Sequence, residues 1–196
     1  YRSITNQGVV ISASTTASSG AAWSFSPNDA FNETGSFSLS TLNGSPSLST
    51  VFTWDTSPED GRLANAATDA ATGTLTFAFG VPVKNPIIHI DRQGGYGSSS
   101  AATPMGLSNS SIITPNTANS AATFTRLAGT THFDVTTNTI QRTPNETMQE
   151  TGVTGLSGVD SSVHTAMGSV QVNGTYNNLS LDFSGVGVEG AGADGI

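Results

Sequence analysis

Apolar and polar residues alternate with a period of two along most of this chain. In the stretch GVVISAS, Val9, Ile11 and Ala13 fall on one face and the residues between them fall on the other. The same alternation recurs in STVFTWD, GTLTFAFG, ATFTRLAG, GSVQVNG and NNLSLDFSG. These stretches are rich in β-branched and aromatic residues and are bounded by Gly, Pro, Asn and Asp, so they predict about ten β-strands.

The pattern predicts an all-β fold of two packed antiparallel sheets, a β-sandwich or jelly roll, because short strands alternate with polar turns and no amphipathic helix is visible. Residues 59–73 could hold one helical turn, but their Asn, Asp and Gly content favours a loop. Residues 94–111 and 144–168 predict long loops, the first a candidate binding loop. We expect an N-terminal strand arm with a Ser/Thr/Gly spacer in residues 1–20 and a sandwich domain in residues 21–196.

The composition restricts the classes of partner. Charged residues make up 10% of the chain, the net charge is −8, and no cysteine is present. Nucleic acids and anionic membranes attract Lys and Arg, which are scarce here, and no apolar run is long enough for a membrane-spanning helix. Ser and Thr account for 55 residues. This hydroxyl-rich, acidic, cysteine-free composition suggests a bacterial extracellular or cell-surface protein.

The stretch PIIHID contains a cluster of candidate catalytic residues. Ile88 and Ile90 predict a buried face, which leaves His89 and Asp91 together on the opposite one. That spacing resembles a general base with its orienting carboxylate, and a hydrolase would also need a serine or carboxylate within about 3 Å of His89. No Gly-x-Ser-x-Gly motif supplies one. We therefore interpret the cluster as a strand at a sheet edge and predict that the protein is not an enzyme.

Two glycine-rich motifs near the end invite binding hypotheses. GVGVEG formally matches a dinucleotide-binding motif, but no helix follows it, so nucleotide binding is rejected. EGAGADGI resembles one imperfect copy of a calcium-binding repeat, and Asp91, Glu189 and Asp194 could together bind one Ca²⁺. The acidic residues of 54–61 form a rival cluster. Acidic turn residues that bind no ion are the simpler alternative, and no other cofactor is predicted.

Glycans could be ligands or modifications. Most aromatic residues occupy alternating positions and predict core, whereas Trp54 and Tyr96 lie beside turns and are candidate sugar contacts. Six Asn-x-Ser/Thr motifs could be glycosylated, although the high Ser and Thr content produces several such motifs by chance. They are Asn32, Asn43, Asn109, Asn145, Asn173 and Asn178.

The phrases NPIIHIDRQGG and GVGVEGAGADGI resemble β-rich domains of large bacterial surface and secreted proteins, including adhesin-like and fibre-forming chains. The resemblance covers residues 35–196. It implies an extracellular structural or adhesive module with a jelly-roll-like core, and it implies no enzymatic activity.

The N-terminal strand indicates how such a module could assemble. It could pair within its own sheet, or it could complete the sheet of a neighbouring copy, with Val9, Ile11 and Ala13 filling the neighbour's core. Head-to-tail donation propagates into a filament unless the rotation closes a ring. We therefore predict a non-enzymatic subunit of an extracellular fibre whose partners are copies of itself. The alternative is an adhesin-type module that binds carbohydrate or peptide, with Ca²⁺, through residues 94–111.

Overall fold

The fold is described by a computed structural model, which covers residues 2–6, 9–18, 21–30, 46–55, 70–93, 95–96, 108–129, 133–142, 166–186 and 193–195. These parts contain fourteen β-strands and one short 3-10 helix, Thr117–Asn119. The strands are β1 (Arg2–Asn6), β2 (Val9–Ala17), β3 (Ala21–Ala30), β4 (Pro46–Asp55), β5 (Ala70–Lys84), β6 (Ile87–Gln93), β7 (Gly95–Tyr96), β8 (Ser108–Pro115), β9 (Thr123–Gly129), β10 (Phe133–Val135), β11 (Ile140–Arg142), β12 (Ala166–Asn173), β13 (Thr175–Val186) and β14 (Ala193–Gly195).

The strands form one long sheet and two short ones. The long sheet has the order β1-β2-β5-β13-β8-β11-β10, and β7 pairs with β8 beside this path. The short sheets have the orders β6-β12-β9 and β14-β4-β3. Every pairing is antiparallel. The all-β antiparallel sandwich predicted from the alternation is therefore confirmed.

The two short sheets cover the inner face of the long one. Leu181 of β13 is buried in the same apolar cluster as Val170 and Val172 of β12. From the other short sheet, Trp23 of β3 packs edge-on against Phe183, with ring centroids 5.0 Å apart. These contacts join all three sheets in one apolar core. Each fully buried side chain of this kind stabilises the fold by about 1.5–3 kcal/mol relative to an exposed one.

The pairing of β5 with β13 sets which side chains face this core. Leu75 lies opposite Leu181, and Thr74 lies opposite Asp182. Both leucines are buried. Because the side-chain period of a strand is two, a slip of one residue would bury the threonine and the carboxylate and expose the leucines. This register therefore produces one apolar inner face and one polar outer face.

Two turns connect the long sheet to the sheet β6-β12-β9, and they contact each other. The backbone N–H of Asn85 donates to the carbonyl of Gly174 at 2.7 Å, and the N–H of Gly174 donates to Asn85 Oδ1 at 2.9 Å. Asn85 has φ 51° and Gly174 has φ 139°. Positive φ is tolerated best by glycine and, among other residues, by Asn and Asp. The sequence chemistry of both turns therefore suits their backbone conformations.

The strands extend into several stretches that the sequence predicts to be irregular. Part of the predicted spacer belongs to β2, and its ladder continues beyond the strand: the N–H of Ser18 donates to the carbonyl of Thr72 at 2.8 Å. Hydroxyl-rich residues resemble a flexible linker in composition, but threonine also favours a half-buried strand surface. The beginnings of three further strands lie in predicted loops, namely Ala70–Gly73 of β5, Ser108–Ser111 of β8 and Ala166–Gly168 of β12.

Candidate functional site

A groove of about 530 Å³ runs across β2, β5, β13 and β8 of the long sheet. The sheet register places four of its polar residues in one row, each directly opposite the next on the neighbouring strand. This row, called the Asp182 row below, consists of Thr16, Thr74, Asp182 and Thr114. The described lining of the groove therefore places hydroxyl groups on either side of the Asp182 carboxylate.

Two hydrogen bonds hold the Asp182 carboxylate in a fixed orientation. Its Oδ1 accepts from Thr74 Oγ1 at 2.7 Å and from Asn116 Nδ2 at 2.7 Å. The Asn116 side chain is itself oriented, because its Oδ1 accepts from the N–H of Ala118 at the start of the 3-10 helix, at 2.9 Å. The N–H of Asn116 also donates to the carbonyl of Ser180 at 3.0 Å. The backbone framework thus fixes the amide, and the amide fixes the carboxylate.

The groove favours hydrogen bonding over acid–base chemistry. Its lining includes the carboxylate of Asp182, the amide of Asn116 and several hydroxyl groups, and among the described residues it includes no Lys, Arg or His. A hydroxyl group can donate one hydrogen bond and accept two, whereas a carboxylate only accepts. Such a set suits a polar ligand that carries donors, and it disfavours an anion.

The second polar cluster joins β6 to β12. His89 lies directly opposite Ser169, and His89 Nδ1 is 2.8 Å from Ser169 Oγ. Burial lowers the pKa of His89 from its ordinary value of 6.5, which favours the neutral imidazole that a general base requires. The serine needed by the hydrolase hypothesis is therefore present at the required distance.

Ser169 is nevertheless a poor nucleophile for an external substrate, because it has 0% solvent exposure. A covalent mechanism needs the carbonyl of the substrate to contact the serine hydroxyl. The pair instead acts as a hydrogen bond between opposite residues of two strands, which stabilises a sheet. That the chain has no catalytic residue stays a prediction.

The predicted joint residues lie in β2 and pair within their own chain. Ile11 lies opposite Phe79, and Ala13 lies opposite Phe77 on β5. Ala13 is fully buried, whereas Val9 and Ile11 are half-buried. In a single chain, the N-terminal segment therefore completes its own long sheet as the hairpin β1–β2.

The predicted metal ligands and sugar contacts are distributed over several strands, and Asp194 lies directly opposite Trp54. Asp91 lies in β6 and Asp194 in β14, which belong to different short sheets, and Glu189 is outside the described residues. Trp54 lies in β4 and Tyr96 in β7. In the part of the chain that the structure describes, no three His, Cys, Asp or Glu residues form a group that could hold a metal ion.

Two of the predicted glycosylation sites can be compared. Asn173 Nδ2 donates to the hydroxyls of Thr123 at 3.1 Å and Thr125 at 2.9 Å, and Asn173 Oδ1 accepts from Gln171. Asn178 is exposed on β13. Of the two, Asn178 is thus the more accessible for modification. Asn109 lies in β8, and three sites lie outside the described residues: Asn32, Asn43 and Asn145.

No family model matches this chain, and comparison with curated proteins and with solved structures finds no significant match. Among the described residues, no helix has the length and apolar character needed to cross a membrane. Functional inference therefore depends on the geometry of the chain itself.

Sequence reasoning did not identify Asp182, Asn116 or Ser169 as site residues. Asp182 was recognisable only as one polar position in the alternating stretch NNLSLDFSG, and Ser169 was one serine among many. A charged side chain on a strand, in a chain with so few charges, is the one signal that could have drawn attention to Asp182.

Proposed function

We propose that this protein is a non-enzymatic structural subunit of an extracellular bacterial fibre or surface assembly, in which copies join by exchanging the N-terminal hairpin. The observation that carries the proposal is the position of β1–β2. This hairpin forms one end of the long sheet, and its inner strand contributes the fully buried Ala13 to the core. A hairpin at the end of a sheet can be replaced by the same hairpin of another copy in the same register.

The connection after the hairpin supports exchange. Only residues 18–20 separate the end of β2 from the start of β3. Short connections favour domain swapping, because a strained hinge is relieved when the element moves to a neighbour. Each exchanged hairpin would lie against β5 of the acceptor and place Ile11 opposite Phe79, as it does within one chain.

The strands that meet at the joint also carry few charges, which supports close association. Ser14 and Thr16 on β2 lie opposite Thr76 and Thr74 on β5, and all four side chains are neutral. Surfaces with few charges can approach each other without the large desolvation penalty that buried ions incur. The cysteine-free, hydroxyl-rich composition and the resemblance to fibre-forming domains support an extracellular location.

Electron microscopy of the native, unheated protein tests the assembly directly. We expect regular filaments with a repeat of about one domain, and we expect them to dissociate into monomers when residues 1–18 are deleted. Dispersed monomers of the full chain, confirmed by sedimentation velocity, would refute the assembly.

Engineered cysteines test the joint, since the chain has no cysteine of its own. Ser14 and Thr76 are directly opposite on β2 and β5, so the pair Ser14→Cys and Thr76→Cys is close enough for a disulfide. Hairpin exchange would link different chains into a ladder on a non-reducing gel. The control pair, Asp134→Cys with Gln141→Cys, joins β10 to β11 and should close only within one chain. If filaments form but the disulfide between positions 14 and 76 closes only within one chain, the assembly is supported and hairpin exchange is refuted as its joint.

A binding module is the second candidate function. It is favoured by the groove at Asp182, whose described lining includes residues of β2, β5, β13 and β8.

A further inference from the structure

We propose that the groove centred on Asp182 binds a neutral saccharide, with the carboxylate accepting hydrogen bonds from sugar hydroxyls and the Asp182 row contacting neighbouring hydroxyls. The site is formed by residues of β2, β5, β13 and β8, together with Asn116 directly after β8. It does not depend on filament formation, because an exchanged hairpin would supply the same β2 residues from the neighbouring copy.

The carboxylate is positioned to accept an external donor. Both of its hydrogen bonds from the protein, from Thr74 and from Asn116, go to Oδ1. Within the described residues, Oδ2 receives none, and the side chain is only partly buried. A hydrogen bond to a charged acceptor is roughly twice as strong as one between neutral groups, so a hydroxyl that reaches Oδ2 gains affinity and orientation.

The dimensions of the groove fit a sugar. Adjacent strands lie about 4.8 Å apart, so the four residues of the Asp182 row extend over about 14 Å. The row therefore spans more than one sugar ring. The volume of the groove, about 530 Å³, lies within the usual range for small-molecule sites. The hydroxyls of Thr16 and Thr114 flank the Thr74–Asp182 pair and can donate to or accept from the ligand.

The chemistry excludes competing ligand classes. An anion would meet a carboxylate, and no described residue of the lining carries a cationic side chain. A calcium ion prefers six to eight oxygen ligands with several carboxylates among them, whereas the described lining supplies one carboxylate. An apolar ligand would leave the fixed Asp182–Asn116 pair without solvent or partner, which carries a desolvation cost. A neutral ligand rich in hydroxyl groups satisfies the groups that are present.

The test measures binding of four neutral probes, maltohexaose, cellohexaose, mannohexaose and N-acetylchitohexaose, by isothermal titration calorimetry. Asp182→Asn keeps the shape and an acceptor for Thr74 and Asn116, but it replaces Oδ2 by an amide donor. The matched control is Asp134→Asn, which removes the same charge from β10 of the same sheet, where the carboxylate accepts from Gln141 at 3.0 Å. Thr114→Val removes one hydroxyl of the Asp182 row without a change of charge.

We expect at least one probe to bind the natural protein and the Asp134→Asn variant equally, and to bind Asp182→Asn at least about tenfold more weakly. Amide NMR shifts on binding should cluster at Thr114, Asn116 and residues 180–184. If Asp182→Asn fails to fold, Thr114→Val should still weaken binding. Absence of binding by all four probes, equal affinities for the two Asn variants, or shifts confined to another surface would overturn the proposal.

Discussion

A methyl group added at Gly168 should test the packing of β12 against the long sheet. A Cβ atom built on Gly168 would overlap the ring of Phe133 and would lie 2.5 Å from the carbonyl oxygen of Ala128. Phe133 has 0% exposure, and Ala128 belongs to β9, which is paired with β12. Neither group can move without disturbing the core or the sheet.

The size of the effect follows from these two obstacles. Overpacking a core typically costs 1–3 kcal/mol, partly offset by the reduced backbone entropy of the unfolded chain when Gly becomes Ala, a gain of about 0.4–1 kcal/mol. We therefore expect Gly168→Ala to lower the free energy of unfolding by about 1–2 kcal/mol. In a chain of this size, that corresponds to a fall in Tm of roughly 2–8 °C.

Gly80→Ala is the matched control. A Cβ atom at Gly80 would lie 3.5 Å from Val10 Cβ, an ordinary contact, and Gly80 is exposed on β5. The control should unfold at the natural midpoint or slightly above it, because the backbone term then acts alone. Thermal and urea unfolding followed by circular dichroism measure both variants. A difference between them of less than about 0.5 kcal/mol, which is typical of a surface substitution, would refute the described packing of β12 on Phe133.

Three further substitutions test other parts of the fold. Burial depresses the pKa of His89, so the folded state disfavours the protonated ring and the free energy of unfolding should fall as the pH drops below about 6.5. Urea titrations at several pH values should show a smaller dependence of stability on pH for His89→Gln than for the natural protein. The same dependence in both proteins would contradict the buried neutral histidine. Asn173→Ala should lower the free energy of unfolding by about 1 kcal/mol, because Asn173 loses its hydrogen bonds to Thr123 and Thr125. Asn178 is exposed, so Asn178→Ala should change it by less than about 0.5 kcal/mol. Equal losses for the two variants would argue against the hydrogen bonds of Asn173. Gly174→Ala should lower the free energy of unfolding by about 1–3 kcal/mol, because φ at Gly174 is 139° and the new Cβ would lie 2.7 Å from Tyr176 Cζ. Thermal unfolding measures the change, and an unchanged Tm would exclude that backbone conformation.

The alternation of the sequence predicted which residues of each strand share a face. Ile88 packs against the core and Ile90 is buried, while Ile87 is exposed, as the pattern PIIHID predicts. β6 is an edge strand of its sheet, in agreement with the interpretation of this stretch as a sheet edge. Local side-chain period is sufficient for this inference, because burial of one face is imposed on every strand of a sandwich.

The sequence by itself therefore determined the fold class and, for strands such as β6 whose burial is described, the face that turns to the core. The tertiary structure alone decided which strands are neighbours: Thr74 and Asp182, far apart in the sequence, meet only because β5 pairs with β13 in one register. His89 likewise meets Ser169 only through the pairing of β6 with β12. Alternation assigns a side chain to a face but carries no information about its partner strand, since long-range pairing is set by packing of the whole core and by the turns that connect the sheets.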